Sequence, residues 1–109
     1  MDVIDKINTI SAILFLLTGI LHLLMPLFYP ISFEIIASFI YGIIYTSLAI
    51  LVQIKKGNKI IAILSIILPL IGLIAGIIAL LPIIDAYILF LFMLDPIIII
   101  LRIFIYRSS

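Results

Sequence analysis

Asp95 and His22 are the side chains of this chain best suited to exchange a proton or hold a cation, and both are embedded in apolar sequence. Asp95 lies in Phe92-Met93-Leu94-Asp95-Pro96-Ile97. If that run crosses a bilayer, an Asp at its centre costs about 2.5 to 3.5 kcal/mol to insert. Residues retained at such a cost face a bundle interior or water, find a partner, and mark ion or proton pathways. Asp95 therefore reads as a proton- or cation-responsive carboxyl. It reads alternatively as a buried clasp that hydrogen-bonds Tyr41 or Tyr45, or pairs with Arg102 two turns along the same face. His22 is the sole histidine. It suits a metal ligand, a haem ligand or a proton relay, or else a polar packing residue near the membrane interface. Counting helical rise places His22 about 9 Å and Asp95 about 15 Å from one end of the bundle, a gap that suits a water link rather than direct contact. Arg102 lies about one turn from the opposite surface and is expected to reach it with its long side chain. Tyr41 and Tyr45, one turn apart, read as packing residues whose hydroxyls find partners in the bundle.

Templates for catalysis do not emerge. Asp2, Asp5, Glu34, Asp85 and Asp95 are scattered along the chain, and no nucleophile, histidine and acid fall at one depth. No glycine-rich phosphate loop follows a strand. The chain holds 0 Cys, so it has no thiolate ligand and no disulfide. A structural zinc site wants four protein ligands and a catalytic one three. An enzyme is not expected, nor a metal or cofactor. The 6 Lys and Arg residues are dispersed at a net charge of +1, without the basic stripe that nucleic-acid binding needs.

The elements that must position these residues are four apolar stretches, at about 7–28, 33–54, 59–81 and 83–106. Hydrophobic residues are 68% of the chain and charged ones 10%, against about 45–50% and about 25% in soluble domains. Mean hydropathy is +1.63. A spanning helix needs about 20 apolar residues. Four of them use most of the 109 residues and leave only short turns. The expectation is one all-α domain: four transmembrane helices in an antiparallel bundle. Lys6, Lys55, Lys56, Lys59, Arg102 and Arg107 then fall at one end, while the connections near Pro26–Phe33 and Leu81–Asp85 hold no Lys or Arg. Basic residues near helix ends stay cytoplasmic, so both termini are expected inside a cell membrane. The lysine turn reads as a topology-setting loop, with anionic lipid as a weaker alternative contact. The first stretch, led by acidic Asp2 and Asp5, reads as a retained helix rather than a cleaved signal.

Punctuation agrees with these spans. Pro26 and Pro30 close the first helix. Ser32 suits an N-cap, with Glu34 in the first turn where the helix dipole favours an anion. Gly57-Asn58 suits a tight turn. Pro82 closes the third helix, and Asp85 caps or flanks the fourth. Phe28, Tyr29, Phe33 and Tyr87 form an aromatic belt at one interface, Phe104 and Tyr106 at the other. Small and polar residues recur at helical spacing. The first helix offers Asn8, Ser11, Ala12, Thr18, Gly19 and His22. The second offers Ser38, Gly42, Tyr45, Ala49 and Gln53. The third offers Ala62, Ser65, Pro69, Gly72, Gly76 and Ala79. Such stripes point inward, because lipid gives helices no hydrophobic reason to associate. Gly72-x-x-x-Gly76 reads as packing inside the bundle, or as a homodimer face. Pro69 and Pro96 each remove a ladder bond and are expected to kink their helices.

Thr18-Gly19-Ile20-Leu21-His22-Leu23-Leu24-Met25-Pro26, continuing to Pro30, resembles the Gly-x-x-His and proline pattern ending the first helix of DoxX-like membrane proteins. The resemblance implies a small four-helix fold with both termini cytoplasmic, and no particular activity. A faint echo between the first and third helices, Ser through Gly to a terminal Pro, would fit two parallel hairpins. Three functional readings follow. One is a structural or accessory subunit packing against a larger membrane complex. Another is a small homo-oligomeric transporter or channel using Asp95. The last is a redox or metal protein using His22.

Overall fold

The computed structural model describes residues 3–108. Its helices are α1 (Val3–Phe28), α2 (Phe33–Ile54), α3 (Lys59–Leu80) and α4 (Ala86–Ser108), with a 3₁₀ turn at Leu81–Ile83. All four are long and apolar enough to cross a membrane. The shortest has 22 residues, about 33 Å of rise against a hydrocarbon core of about 30 Å.

Caps set the helix starts. The Ser32 hydroxyl accepts from the Ile35 N–H at 3.2 Å, and Asn58 Oδ1 accepts from the Ile61 N–H at 3.1 Å. Gly57 holds φ at +81°, which turns the chain tightly between α2 and α3 at no steric cost. Two helix starts differ from the sequence expectation. Helix α1 begins at Val3 rather than near residue 7, with Asp5 in its first turn, where the helix dipole favours an anion. Pro26 lies inside α1. Within the last turn it removes one ladder bond, and the helix closes with Tyr29 N–H on the Met25 carbonyl at 3.0 Å. Helix α4 begins at Ala86 rather than 83, because Asp85 Oδ1 caps it by accepting from the Ile88 N–H at 3.0 Å.

The helices form a ring in chain order. Helix α1 has its broadest contact with α2, α3 packs on α4, α4 closes on α1, and the α2–α3 contact is the slightest. Backbones of diagonal pairs do not approach. The buried residues of α4 include Ile88, Leu91, Asp95, Ile98, Arg102 and Ile105. Those of α2 include Ile35, Ser38, Gly42, Tyr45, Ala49 and Val52. Both sets alternate steps of three and four, the heptad seam of a left-handed bundle. Asn8, Ser11, Thr18, Ser38 and Ser65 of the stripes are therefore buried, Gln53 is exposed, and Ile13, Ile78 and Ile100 face outward. Helix α3 is the barest element: 11% of its span is buried, against 33% for each of the others.

At the proline end the two hairpins are latched. The Tyr29 hydroxyl donates to the Asp85 carboxylate at 2.7–2.8 Å, and Tyr87 donates to the Leu21 carbonyl. Tyr29 and Tyr87 stack edge to face at 5.8 Å. The Ile88 N–H and then the Tyr29 hydroxyl hold the Asp85 carboxyl below its usual range. A depressed carboxyl stabilises the fold above its unfolded value, and that contribution is lost as pH falls through the folded value. Thermal unfolding in detergent should therefore show an acid-side loss of stability, setting in below about pH 4, that Asp85→Asn removes. An unchanged profile in that variant would contradict the latch.

Candidate functional site

Asp95, Ile98 and Arg102 occupy one seam of α4 at i, i+3 and i+7, and all three are buried. Seven residues put the Cα atoms of Asp95 and Arg102 about 10 Å apart along the axis. Ile98, 0% exposed, lies between them. With Phe15, Tyr45 and Ala49 it belongs to a packed apolar layer. The expected Asp95–Arg102 pair is therefore not made. Each side chain instead faces a different cavity, one on either side of that layer.

Asp95 lies at the base of a cavity of about 170 Å³ that reaches toward the proline end between α2, α3 and α4. Glu34 stands near its mouth, His22, Tyr41 and Phe92 on its walls, and no Lys or Arg lines it. Asp95 is 3% exposed. The Tyr45 hydroxyl lies near its carboxyl, yet Oδ1 has no hydrogen-bond partner among the described residues. A buried acceptor without a donor is costly and calls for an explanation. The neighbours that shape this floor are aromatic: Tyr45 meets His22 edge-on at 5.2 Å and Tyr41 at 5.4 Å. His22 Nδ1 is 2.7 Å from the Thr18 carbonyl. A carbonyl only accepts, so Nδ1 carries a proton, and in the neutral ring Nε2 is left as an acceptor. His22 and Asp95, separated in depth by the sequence count, thus line one cavity. Among the described residues no three His, Asp or Glu side chains converge as a metal ion would need.

Gly72 and Gly76 line the same cavity. A Cβ on Gly72 would stand 2.6 Å from the Tyr45 hydroxyl and 2.8 Å from Tyr41, and one on Gly76 would stand 3.3 Å from Phe92. Both glycines therefore face the bundle. The tightest helix crossing is elsewhere, where Gly19 of α1 meets Gly42 of α2. Pro69 and Pro96 lie inside continuous helices, leaving the Ser65 and Phe92 carbonyls without their ladder donors.

Arg102 is 4% exposed and does not reach the surface as its position near the helix end suggested. Its Nε donates to Ser65 Oγ at 2.9 Å, and Nη1 donates to Asn8 Oδ1 at 2.6 Å and Ser11 Oγ at 3.0 Å. Asn8 Nδ2 in turn donates to the Val52 carbonyl at 3.0 Å and Gln53 Oε1 at 2.8 Å. One polar network thereby ties all four helices at a single level. The stripes mark Asn8, Ser11 and Ser65 as inward-facing, but not as the partners of Arg102. Asn8, Ser65 and Arg102 each lie five or six residues from a helix end at the lysine side, which is the available signal. Beyond the guanidinium a second cavity of about 670 Å³ opens toward the lysine turn.

Comparison with protein-family models, with curated proteins and with solved structures finds no match to this chain. The class is defined by the molecule itself. Four apolar helices of spanning length fit a small multi-pass integral membrane protein, and its seam carries a buried carboxyl and a buried guanidinium in separate cavities.

Proposed function

We propose that this protein moves a proton or a small cation, with Asp95 as the loading carboxyl. The observation that carries the reading is the buried Asp95 Oδ1, without a hydrogen-bond donor among the described residues, in a cavity whose other carboxylate is Glu34 and which no Lys or Arg lines. Negative charge in a low-dielectric recess concentrates cations. The arrangement of a second cavity beyond the Phe15, Tyr45 and Ile98 layer supports it further. Two recesses separated by a thin packed layer are the parts that alternating access requires. Helix α3, barest of the four and slightest in its contact with α2, is the element best placed to shift. A homo-oligomer belongs to the same reading, because four helices leave little room for a path of their own. The clustering of Lys6, Lys55, Lys56, Lys59 and Arg107 at one end supports an orientation with both termini cytoplasmic in the cell membrane.

Purified protein in liposomes, given a pH or cation gradient, should show flux above protein-free vesicles. Asp95→Asn should lower it at least tenfold. Flux that is absent, or equal in the variant, overturns the proposal. A second reading, an accessory subunit of a larger complex, draws on the bare α3 face, which a partner helix would cover. It gains if flux is absent and a membrane partner co-purifies.

A further inference from the structure

We propose that the cavity at the lysine end binds a phosphate-bearing anion, with Arg102 as its floor contact and Lys55, Lys56 and Lys59 as its rim. The cavity, about 670 Å³, is within the range of about 300–1,000 Å³ that small ligands occupy. Among the described residues, four basic side chains line it against one acid, Asp5. Asp5 already faces Lys56 across 4.0 Å at the exposed mouth. The charge of the recess is thus strongly one-sided, opposite in sign to that of the Asp95 cavity.

Arg102 is what makes this more than a basic surface. Its three hydrogen bonds go to neutral oxygens of Asn8, Ser11 and Ser65. No carboxylate among the described residues touches it. A buried cation is normally paired, and a guanidinium without an acid at its side is a poor device for stability alone. The same three bonds fix the plane of the group through Nε and Nη1. They leave Nη2 with no hydrogen bond among the described residues. A guanidinium oriented by neutral partners, with one amino group uncommitted, is suited to take a phosphate oxygen. The Asn8 amide donors are spent on Val52 and Gln53, so its Oδ1 faces Arg102 and not the ligand. Depth favours a group that enters on a stem or as a small ion. Arg102 lies six residues, about 9 Å, from the end of α4, below the reach of a phosphate resting at the surface. The lysines draw the anion in, and Arg102 holds it. The same chemistry suits a phospholipid headgroup and a free phosphate.

The test uses the intact protein in nanodiscs of phosphatidylcholine. Inorganic phosphate is titrated in one arm, and phosphatidic acid is doped into the discs in the other. Thermal unfolding and native mass spectrometry report binding. Saturable one-to-one binding with a rise in unfolding temperature is expected. Saturation by inorganic phosphate alone assigns a soluble anion, and saturation only by phosphatidic acid assigns a lipid headgroup. Either outcome supports the site. Lys55→Gln, Lys56→Gln and Lys59→Gln together leave the Arg102 network intact and should weaken binding roughly a hundredfold. Arg102→Lys keeps the charge but not the fork, and should weaken it at least tenfold. If Arg102→Lys does not fold, the lysine triple variant decides. No saturable binding in either arm overturns the proposal. So does binding that follows bulk lipid charge and ignores both variants.

Discussion

Gly42→Ala is expected to destabilise the bundle by about 2–3 kcal/mol, as large an effect as one added methyl can have here. The Cβ would stand 2.8 Å from the Gly19 carbonyl oxygen and 2.8 Å from the Leu23 nitrogen, with Leu23 Cγ at 2.9 Å. Two of the three obstacles are backbone, so no rotamer change relieves them. The α1 and α2 axes would have to separate along the broadest contact in the molecule, and helices in lipid are held by close packing with no hydrophobic drive to draw them back. Gly76→Ala is the control. Its methyl meets only Phe92 Cε1, at 3.3 Å, and alanine favours a helix by about 1 kcal/mol over glycine. It should be neutral or slightly stabilising. Unfolding equilibria in bicelles compare the two. Equal effects would contradict the assignment of Gly19–Gly42 as the crossing point.

Arg102→Leu is expected to cost about 2–3 kcal/mol. Opposing effects must be weighed. Removing the guanidinium relieves the desolvation of a buried cation, and replacing buried ionic groups by apolar ones can be neutral or better. What decides is the state of the groups left behind. Ser11 and Ser65 still donate to the carbonyls of Asn8 and Ala62, at 2.9 and 2.7 Å. Asn8 Oδ1 has no other donor and becomes an orphan between helices. An unsatisfied buried acceptor costs about 1–3 kcal/mol, and the lost interhelical bonds add about 0.6 kcal/mol each on average in membranes. Asn8→Leu in the same chain removes the orphan, so the double variant should be more stable than the two single losses added together. Strict additivity would contradict the network.

The sequence was informative where one residue decides alone. Ser32, Asn58 and Gly57 act locally, through one hydroxyl, one amide or one dihedral, and the α2 span follows from them. Asp85 reads in the sequence as a cap or flank of the fourth helix, and because it is the cap, α4 starts at Ala86 and not directly after Pro82. The end of α1 at Phe28 agrees with the expected span, and Pro26 in its final turn removes a single ladder bond. The distance of Arg102 from the helix end predicts a surface position, since long side chains there do reach water. What keeps it inside is a set of partners on three other helices. Such a set is visible only once antiparallel neighbours bring Asn8, Ser65 and Arg102 to one level. Gly19 and Gly42 read as inward packing residues alongside Gly72 and Gly76, but their mutual closeness depends on the register between two helices. His22 and Asp95 were separated by axial count alone. A cavity that runs along the axis brings groups at different depths into one space.

The central claim is that Asp95 is a carboxyl in contact with the aqueous phase through its cavity, and that it takes up a proton or cation there. Infrared carboxyl-stretch titration of the protein in lipid bilayers, wild type against Asp95→Asn, tests it most directly. The account predicts a protonated-carboxyl band, absent from the variant, that changes amplitude between about pH 4 and about pH 9 and responds to added cation. A band assigned to Asp95 that stays constant across that range, with or without cation, would contradict it and leave the residue a structural clasp.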